Sequence, residues 1–405
     1  MSVYVNKFVL LGILTILFFT NGFSFVYFPG GSGGNILKIL ILACCGLSLL
    51  KRTSRFETKL LLLAFFLIAS LLYSIIVNHQ NPYHLIVGST GYFGFFLFLF
   101  FKKKHIPFYA IDRALQVLML LMIACYIFQW LVYPKVFFTA ALDEESISDS
   151  VFRMRMACSA LSYIAFFYGV NKLIVKRRKI YIVFSILGFI PMIVMGFRSL
   201  MFMSMLFFAI MLVSLLGKTK SMLKAIAVLT AFVVVGINTP LVQDKLNEMV
   251  ERTENNQSFS NKKYARNLAL QFYPNYAVSQ GPLYLICGGG LPLFRSEMGY
   301  DMTNEYQKDM LWAENHRIFW VDIGLVGLAC IIGIPAVILI IVLCLSCAYY
   351  CKSPELQFVR FSLLTLLFGT GITSMELYRS GNFFCIGLLF YYVYIYNKEH
   401  HDEIL

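Results

Sequence analysis

Charge is what this chain has least of. Of its 405 residues only 14% are Asp, Glu, Lys or Arg, while 59% are hydrophobic. A soluble globular domain carries roughly 25% charged residues. With a mean hydropathy of +0.73, the shortage excludes an ordinary soluble domain and points to a polytopic, all-α membrane protein. A cleavable-signal pattern is also missing from the N-terminal stretch. The first apolar run is too long and no small-residue cleavage site follows it, so it reads as a first helix. Metal-ligand spacing is absent too: His79, His84, His105, His316, His400 and His401 form no HExxH or related pattern, and no Asp-rich cluster occurs. Gly288-Gly289-Gly290 lacks the GxGxxG and GxxxxGK[ST] frameworks of nucleotide cradles. No internal repeat or soluble module is detectable, so residues 1–405 read as one integral membrane domain.

The ten cysteines make no disulfide framework. All but Cys287 lie in or beside apolar runs, where cysteine acts as a small packing residue. Cys344, Cys347 and Cys351 have helical spacing, but no histidine or carboxylate accompanies them.

What the chain has in quantity is apolar runs. A membrane-spanning helix needs about 20 apolar residues, with a range of about 17–25. Twelve candidates lie near 8–28, 36–50, 60–77, 85–101, 114–133, 157–174, 180–196, 200–216, 225–241, 322–350, 361–378 and 381–397. The tenth is long, and Gly333 with Pro335 marks a kink or break in it. Lys and Arg set the orientation. The connections on one side (1–7, 51–59, 102–113, 172–179, 217–224, 351–360 and the tail from Asn397) hold 20 Lys/Arg against 6 Asp/Glu. The remainder holds 14 against 15. The expected topology has both termini cytoplasmic and a large outer loop, 242–317, between the ninth and tenth spans. The net charge of +13 is then a topology signal and gives no reason to expect nucleic acid.

Three outer segments are polar enough for chemistry. Residues 134–156 contain Asp143-Glu144-Glu145 and end in Arg153-Met154-Arg155. Gly196-Phe197-Arg198-Ser199 is a tight turn between two spans. The 242–317 loop opens with an amphipathic pattern at Val242, Leu246, Met249 and Val250. The spacing predicts a second helix from Asn261 through Arg266 to Phe272, stopping before Pro274. A glycine-broken apolar run, 285–292, follows, and the loop closes on Glu314-Asn315-His316-Arg317.

By position alone, each charged residue fits two roles. Arg198 sits between apolar stretches with no acidic neighbour, either facing an anionic substrate or reaching lipid phosphate. Arg266, one turn from Lys262 and Lys263, is a ligand or a solvated charge. Glu376 and Arg379, three apart, fit an internal ion pair. His316 is either an interfacial imidazole or a group that takes a proton near neutral pH.

Taken in order, these elements resemble the O-antigen polymerase and O-antigen ligase superfamily of bacterial surface-polysaccharide enzymes. The resemblance covers most of the chain in architecture, with few residue-level motifs. Gly196-Phe197-Arg198-Ser199 looks like the family's outer "SR" turn. Arg266-Asn267 ahead of Gly288-Gly289-Gly290-Leu291 looks like its loop arginine and glycine-rich stretch. Asn315-His316 followed by Gly324 and Gly327 looks like its histidine-to-glycine helix start. This chain has Arg317 where the family commonly has Asn, Ser or Gln. Asp322 with Gly324 also matches the acid-and-glycine pattern about one helical turn early.

The resemblance implies glycosyl transfer from an undecaprenyl-diphosphate-linked oligosaccharide, without cofactor or metal. Arg198 and Arg266 would hold the diphosphate through bidentate hydrogen bonds. His316 would deprotonate or orient the attacking sugar hydroxyl. Arg153, Arg155, Arg317, Arg379 and Glu376 would be further substrate contacts. Membrane lipid, a chain-length regulator and a flippase are the implied partners, and the bacterial cytoplasmic (inner) membrane is the implied location. Polymerase is the favoured branch over ligase. A lipid-linked oligosaccharide transporter predicts repeats and mid-membrane charges, and a scaffold binding other membrane proteins is a further alternative.

Overall fold

The computed structural model describes residues 6–28, 32–47, 54–132, 135–138, 156–195, 198–216, 265–291, 320–370 and 381–400. These residues are almost entirely helical. The described part of the chain contains no strand beyond an isolated bridge between Phe25 and Phe138. Three helices are long and apolar enough to cross a membrane: α3 (Arg55–Ile76), α4 (Pro82–Lys103, with a 3-10 centre at Thr90–Phe96) and α5 (Phe108–Val132). Shorter apolar helices include α1 (Lys7–Phe19), α2 (Ser32–Gly46), α7 (Tyr181–Met195) and α8 (Arg198–Leu216). The candidate span at 225–241, the amphipathic pattern at 242–250 and most of the 242–317 loop lie outside the described residues.

Local sequence explains where α3 begins and which way it faces. Ser54 and Glu57 form a reciprocal capping box, each side chain accepting from the other's backbone N–H. Phe56, Leu60, Leu63, Leu67, Ser70 and Ser74 then recur on one buried face. Leu62, Phe65, Ile68, Leu72 and Ile76 line the opposite, exposed face. An apolar stripe left outward along a helix of this length is what lipid contact requires. The last helix, α14 (Asn382–His400), is apolar around its circumference and buried from Asn382 to Asn397. It is the central post of the bundle, with Phe383 against Phe95 at 4.4 Å and Phe390 against Phe56 at 5.2 Å.

Two sequence expectations change, and a third, the break in the long tenth candidate, is met. The first run does not continue helical to residue 28. It ends at Phe19, where the Thr20 hydroxyl donates to the Ile16 carbonyl. Asn21, Gly22, Phe23 and Ser24 follow with φ of 51°, 56°, 63° and 65°. The second loop helix, α9 (Ala265–Ser279), runs through Pro274 instead of stopping before it. Proline removes one intrahelical hydrogen bond, but the buried stripe Ala269, Tyr273 and Ala277 continues past it. Packing of that stripe offsets the loss. The long tenth candidate is broken into α11 (Gly324–Ile332) and α12 (Ile334–Tyr350) at Gly333, φ +87°.

At one end of the bundle, connections distant in sequence are tied together by polar contacts. The Lys102 ammonium meets the Glu57 carboxylate at 2.6 Å, and the Phe108 N–H donates to the Glu399 carboxylate at 3.0 Å. Lys172, near the end of α6 (Ala160–Lys176), is 1% exposed and meets Glu355 at 3.1 Å. Its ammonium also lies over the rings of Tyr168 and Phe358. Asp112 accepts from Gln116 and from the Tyr392 and Tyr168 hydroxyls beside it. Burial works against the Glu355 carboxylate, but Lys172 and Lys176 outweigh it and hold the carboxyl below its usual range. A depressed folded-state value means that this stabilisation is present at neutral pH and lost as pH falls through the lowered value. The melting temperature of purified protein in detergent should therefore drop as the buffer is acidified below about pH 4. Glu355→Gln should lower melting at neutral pH and flatten that acid slope. Identical slopes for both proteins would show that the pair contributes nothing.

Candidate functional site

Arg198 is the first residue of α8, and Arg266 is the second residue of α9. Their side chains lie outside the described residues, as do Arg153, Arg155, His316, Arg317, Glu376 and Arg379 in full. What can be described is how the flanking backbone anchors the segments that carry them, and it does so in two groups.

In the first group, α8 begins beside the end of α13 (Gln357–Thr370). A β-carbon at Gly369 would sit 2.7 Å from the Leu200 side chain and 3.4 Å from Met203. Arg198 therefore starts its helix next to the point where the chain leaves for Glu376 and Arg379. The return of that segment is pinned as well. The Cys158 thiol lies 3.1 Å from the Gly381 carbonyl. Asn382 accepts from the Ala160 N–H at 3.0 Å and donates to the Ser159 hydroxyl at 3.2 Å. Cys158 follows Arg155 by three residues and Gly381 follows Arg379 by two. The segments bearing Arg153, Arg155, Arg198, Glu376 and Arg379 thus have roots within one part of the bundle.

The second group is built around the broken helix. Where α11 stops, its last carbonyls are free for other partners, and the glycine run supplies donors. The Gly289 N–H donates to the Cys330 carbonyl at 2.9 Å, and the Gly290 N–H to the Ile331 carbonyl at 2.8 Å. The Ser70 hydroxyl also donates to Ile331, at 3.0 Å. Asn78 donates to the Gly289 carbonyl at 2.8 Å. The short helix α10 (Pro282–Cys287) delivers this run. Helix α9 packs on α11 and its 3-10 lead-in Trp320–Ile323, and buries Leu268, Ala269 and Tyr273. Gly327 makes that lead-in possible, because a β-carbon there would collide with the Trp320 carbonyl. The helix that carries Arg266 is consequently packed on the one that follows His316 and Arg317.

A small cavity of about 10 Å³, room for about one water, lies between the glycine run and α3–α4, lined by Ser70, Ser89, Tyr92, Gly290 and Ile331 among others. Small-molecule sites occupy about 300–1,000 Å³, so this space is undersized for a glycan. The Ser89 hydroxyl is buried in it with no hydrogen-bond partner among the described residues.

Two polar features were missed by sequence reasoning. One is the Asp112–Tyr168–Tyr392 cluster with Lys172 and Glu355, whose charged members look like ordinary loop-end residues until the helices are packed. The other is Lys38 in α2, which is 3% exposed. Its signal was available, since a single lysine interrupts the apolar run Ile36–Cys45. No protein-family model matches the chain, and no curated protein aligns with it significantly.

Proposed function

We propose that the protein is a polymerase of lipid-linked oligosaccharide repeat units for a surface polysaccharide. It works on the outer face of a bacterial cytoplasmic membrane, in a chain of twelve spans with both termini cytoplasmic. The observation that carries this reading is the common rooting of the segments bearing Arg153, Arg155, Arg198, Glu376 and Arg379. Cationic residues gathered on one end of an apolar bundle suit a diphosphate held at the interface beside its lipid tail. The topology is supported by the opposite end, where Glu57, Lys102, Lys172, Glu355 and Glu399 hold together the connections that Lys and Arg mark as cytoplasmic.

The chemistry follows from charge development. As the anomeric C–O bond breaks, negative charge grows on the diphosphate leaving group. The guanidinium groups of Arg198 and Arg266 stabilise it through bidentate, charge-assisted hydrogen bonds. The attacking sugar hydroxyl loses its proton to His316, and its oxygen forms the new glycosidic bond. Arg153, Arg155, Arg317 and Arg379 bind phosphate or sugar oxygens around that centre, with Glu376 orienting Arg379.

Deleting the gene and examining the surface glycan tests the assignment. Acceptors capped with a single repeat unit are the expected result. Loss of every capped acceptor would identify a ligase instead. In purified protein supplied with the lipid-linked repeat unit, His316→Ala should slow chain growth by about 100-fold, within the usual range for a lost general base. Unchanged growth would remove His316 from that role.

A further inference from the structure

We propose that Lys38 is a phosphate-binding residue, with its ammonium taking a phosphate oxygen of an amphiphile at the end of the bundle where the arginine-bearing segments are rooted. The first ground is its placement on the helix. Lys38, Leu42 and Cys45 recur at i, i+4 and i+7 and are the buried stripe of α2, whereas Ile36, Leu37 and Leu40 are exposed. The lysine therefore points into the protein and does not lean out along the lipid face. An ionisable side chain on the packing face of a membrane helix is costly and is retained for a partner.

The second ground is that its described partners do not neutralise it. The ammonium donates to the Asn21 side-chain carbonyl and lies 5.4 Å from the centre of the Phe18 ring. An ammonium has three N–H donors. Among the described residues, no carboxylate pairs with this one. The two contacts that described residues make with it are neutral, so neither offsets the positive charge.

The third ground is the backbone that presents Asn21. Four successive residues, Asn21 to Ser24, hold left-handed φ values, and only one of them is glycine. Such strain persists where surrounding structure enforces it and gathers at ligand sites. Here the enforcement comes from Phe28 packed on Gly22 and from Thr20, whose methyl abuts the Gly381 position. Gly381 is also the contact of Cys158. Lys38 is thereby linked through Asn21 and Thr20 to the roots of both the 134–156 and 371–380 segments.

Two sources share the required chemistry: the diphosphate of a polyprenyl-linked glycan and the phosphodiester of a phospholipid. The first rests on the polymerase reading; the phosphate site itself does not. The test uses full-length wild type, Lys38→Met, Lys38→Arg and Asn21→Ala in phosphatidylcholine nanodiscs. Binding of undecaprenyl diphosphate and, separately, of phosphatidylglycerol is measured by native mass spectrometry, with melting temperature recorded for each variant. Lys38→Met should lose about tenfold or more in affinity for a phosphate amphiphile, as expected for a charge-assisted hydrogen bond, while Lys38→Arg retains most of it. Loss confined to the diphosphate identifies the carrier lipid, and loss for both identifies a headgroup site. If Lys38→Met binds both ligands like wild type, the proposal is overturned. It is equally overturned if Lys38→Met and Asn21→Ala merely melt earlier while the folded fraction binds normally, since the lysine then only secures the turn. No chain growth is needed for this readout, so failure of the polymerase reading would be seen separately in the His316 assay.

Discussion

Arg198→Ala is expected to lower the rate of chain growth by about 100- to 1,000-fold, the range seen when one preorganised donor to a developing oxyanion is removed. Arg198 opens α8, so its backbone is fixed by a helix whose next turns carry the buried residues Leu200 and Ser204. The Gly369 contact with Leu200 further locks this start against α13. A guanidinium on a rigid element is worth more to a transition state than one on a loop, because little reorganisation accompanies charge development. Arg198→Lys should recover only a small part of the rate. Lysine supplies a point charge but not the planar fork that meets two phosphate oxygens at once. The measurement is single-turnover elongation of a defined lipid-linked repeat unit, with affinity for undecaprenyl diphosphate determined alongside. A rate loss that greatly exceeds the affinity loss places the arginine in the transition state. Equal losses would make it a ground-state anchor. Full activity in the alanine variant would remove Arg198 from the site.

Helical class and membrane character were legible because they rest on sums over many residues. The same is true of the contrast between loops, which charge counting reads without any knowledge of packing. The end containing Glu57, Lys102, Lys172 and Glu355 was therefore anticipated as a group, although its pairings were not. Breaks were legible only where a residue type forces them. Gly333 beside Pro335 marked the interruption between α11 and α12. Pro274 marked one that does not occur, because tertiary packing of Ala269, Tyr273 and Ala277 overrides the local preference. The left-handed turn after Phe19 was hidden, since Asn21, Phe23 and Ser24 carry no strong instruction for positive φ. Of the site, the sequence offered residue types at segment edges. It could not reveal that α8 starts against the end of α13, or that Cys158 meets Gly381, because these neighbours are about 170 and 220 residues apart. Lys38 was legible in principle as a charge within an apolar run. Its buried orientation was not, because the stripe through Leu42 and Cys45 stands out only once the helix is packed.

The other large effect expected is on folding, at Gly333. Its φ of +87° and ψ of 152° lie in a region that side chains bearing a β-carbon do not comfortably occupy. Residues held in such regions cost about 1–3 kcal/mol. A β-carbon there would also collide with the Ile286 carbonyl, and overpacking of this kind typically costs about 1–3 kcal/mol more. Gly333→Ala should therefore destabilise the protein by about 4 kcal/mol, a large share of the roughly 5–15 kcal/mol that holds a folded domain together. Relief by continuing the helix straight through is closed off. The Cys330 and Ile331 carbonyls are held by the Gly289 and Gly290 N–H groups and the Ser70 hydroxyl. An uninterrupted helix would reclaim the Cys330 carbonyl for the Ile334 N–H and leave the Gly289 donor unpaired in an apolar interior, where such a group costs several kcal/mol. Pro335 has no N–H to take the Ile331 carbonyl, so that carbonyl gains no helical partner in return. The substitution should thus lower the melting temperature in detergent and increase proteolysis between α9 and α11, since both lose their shared packing. A neutral variant such as Ile334→Leu, at an exposed position, should leave both unchanged. If Gly333→Ala melts like wild type, the helix is not broken at this glycine. The interlock of the glycine run with α11 would then have to be abandoned.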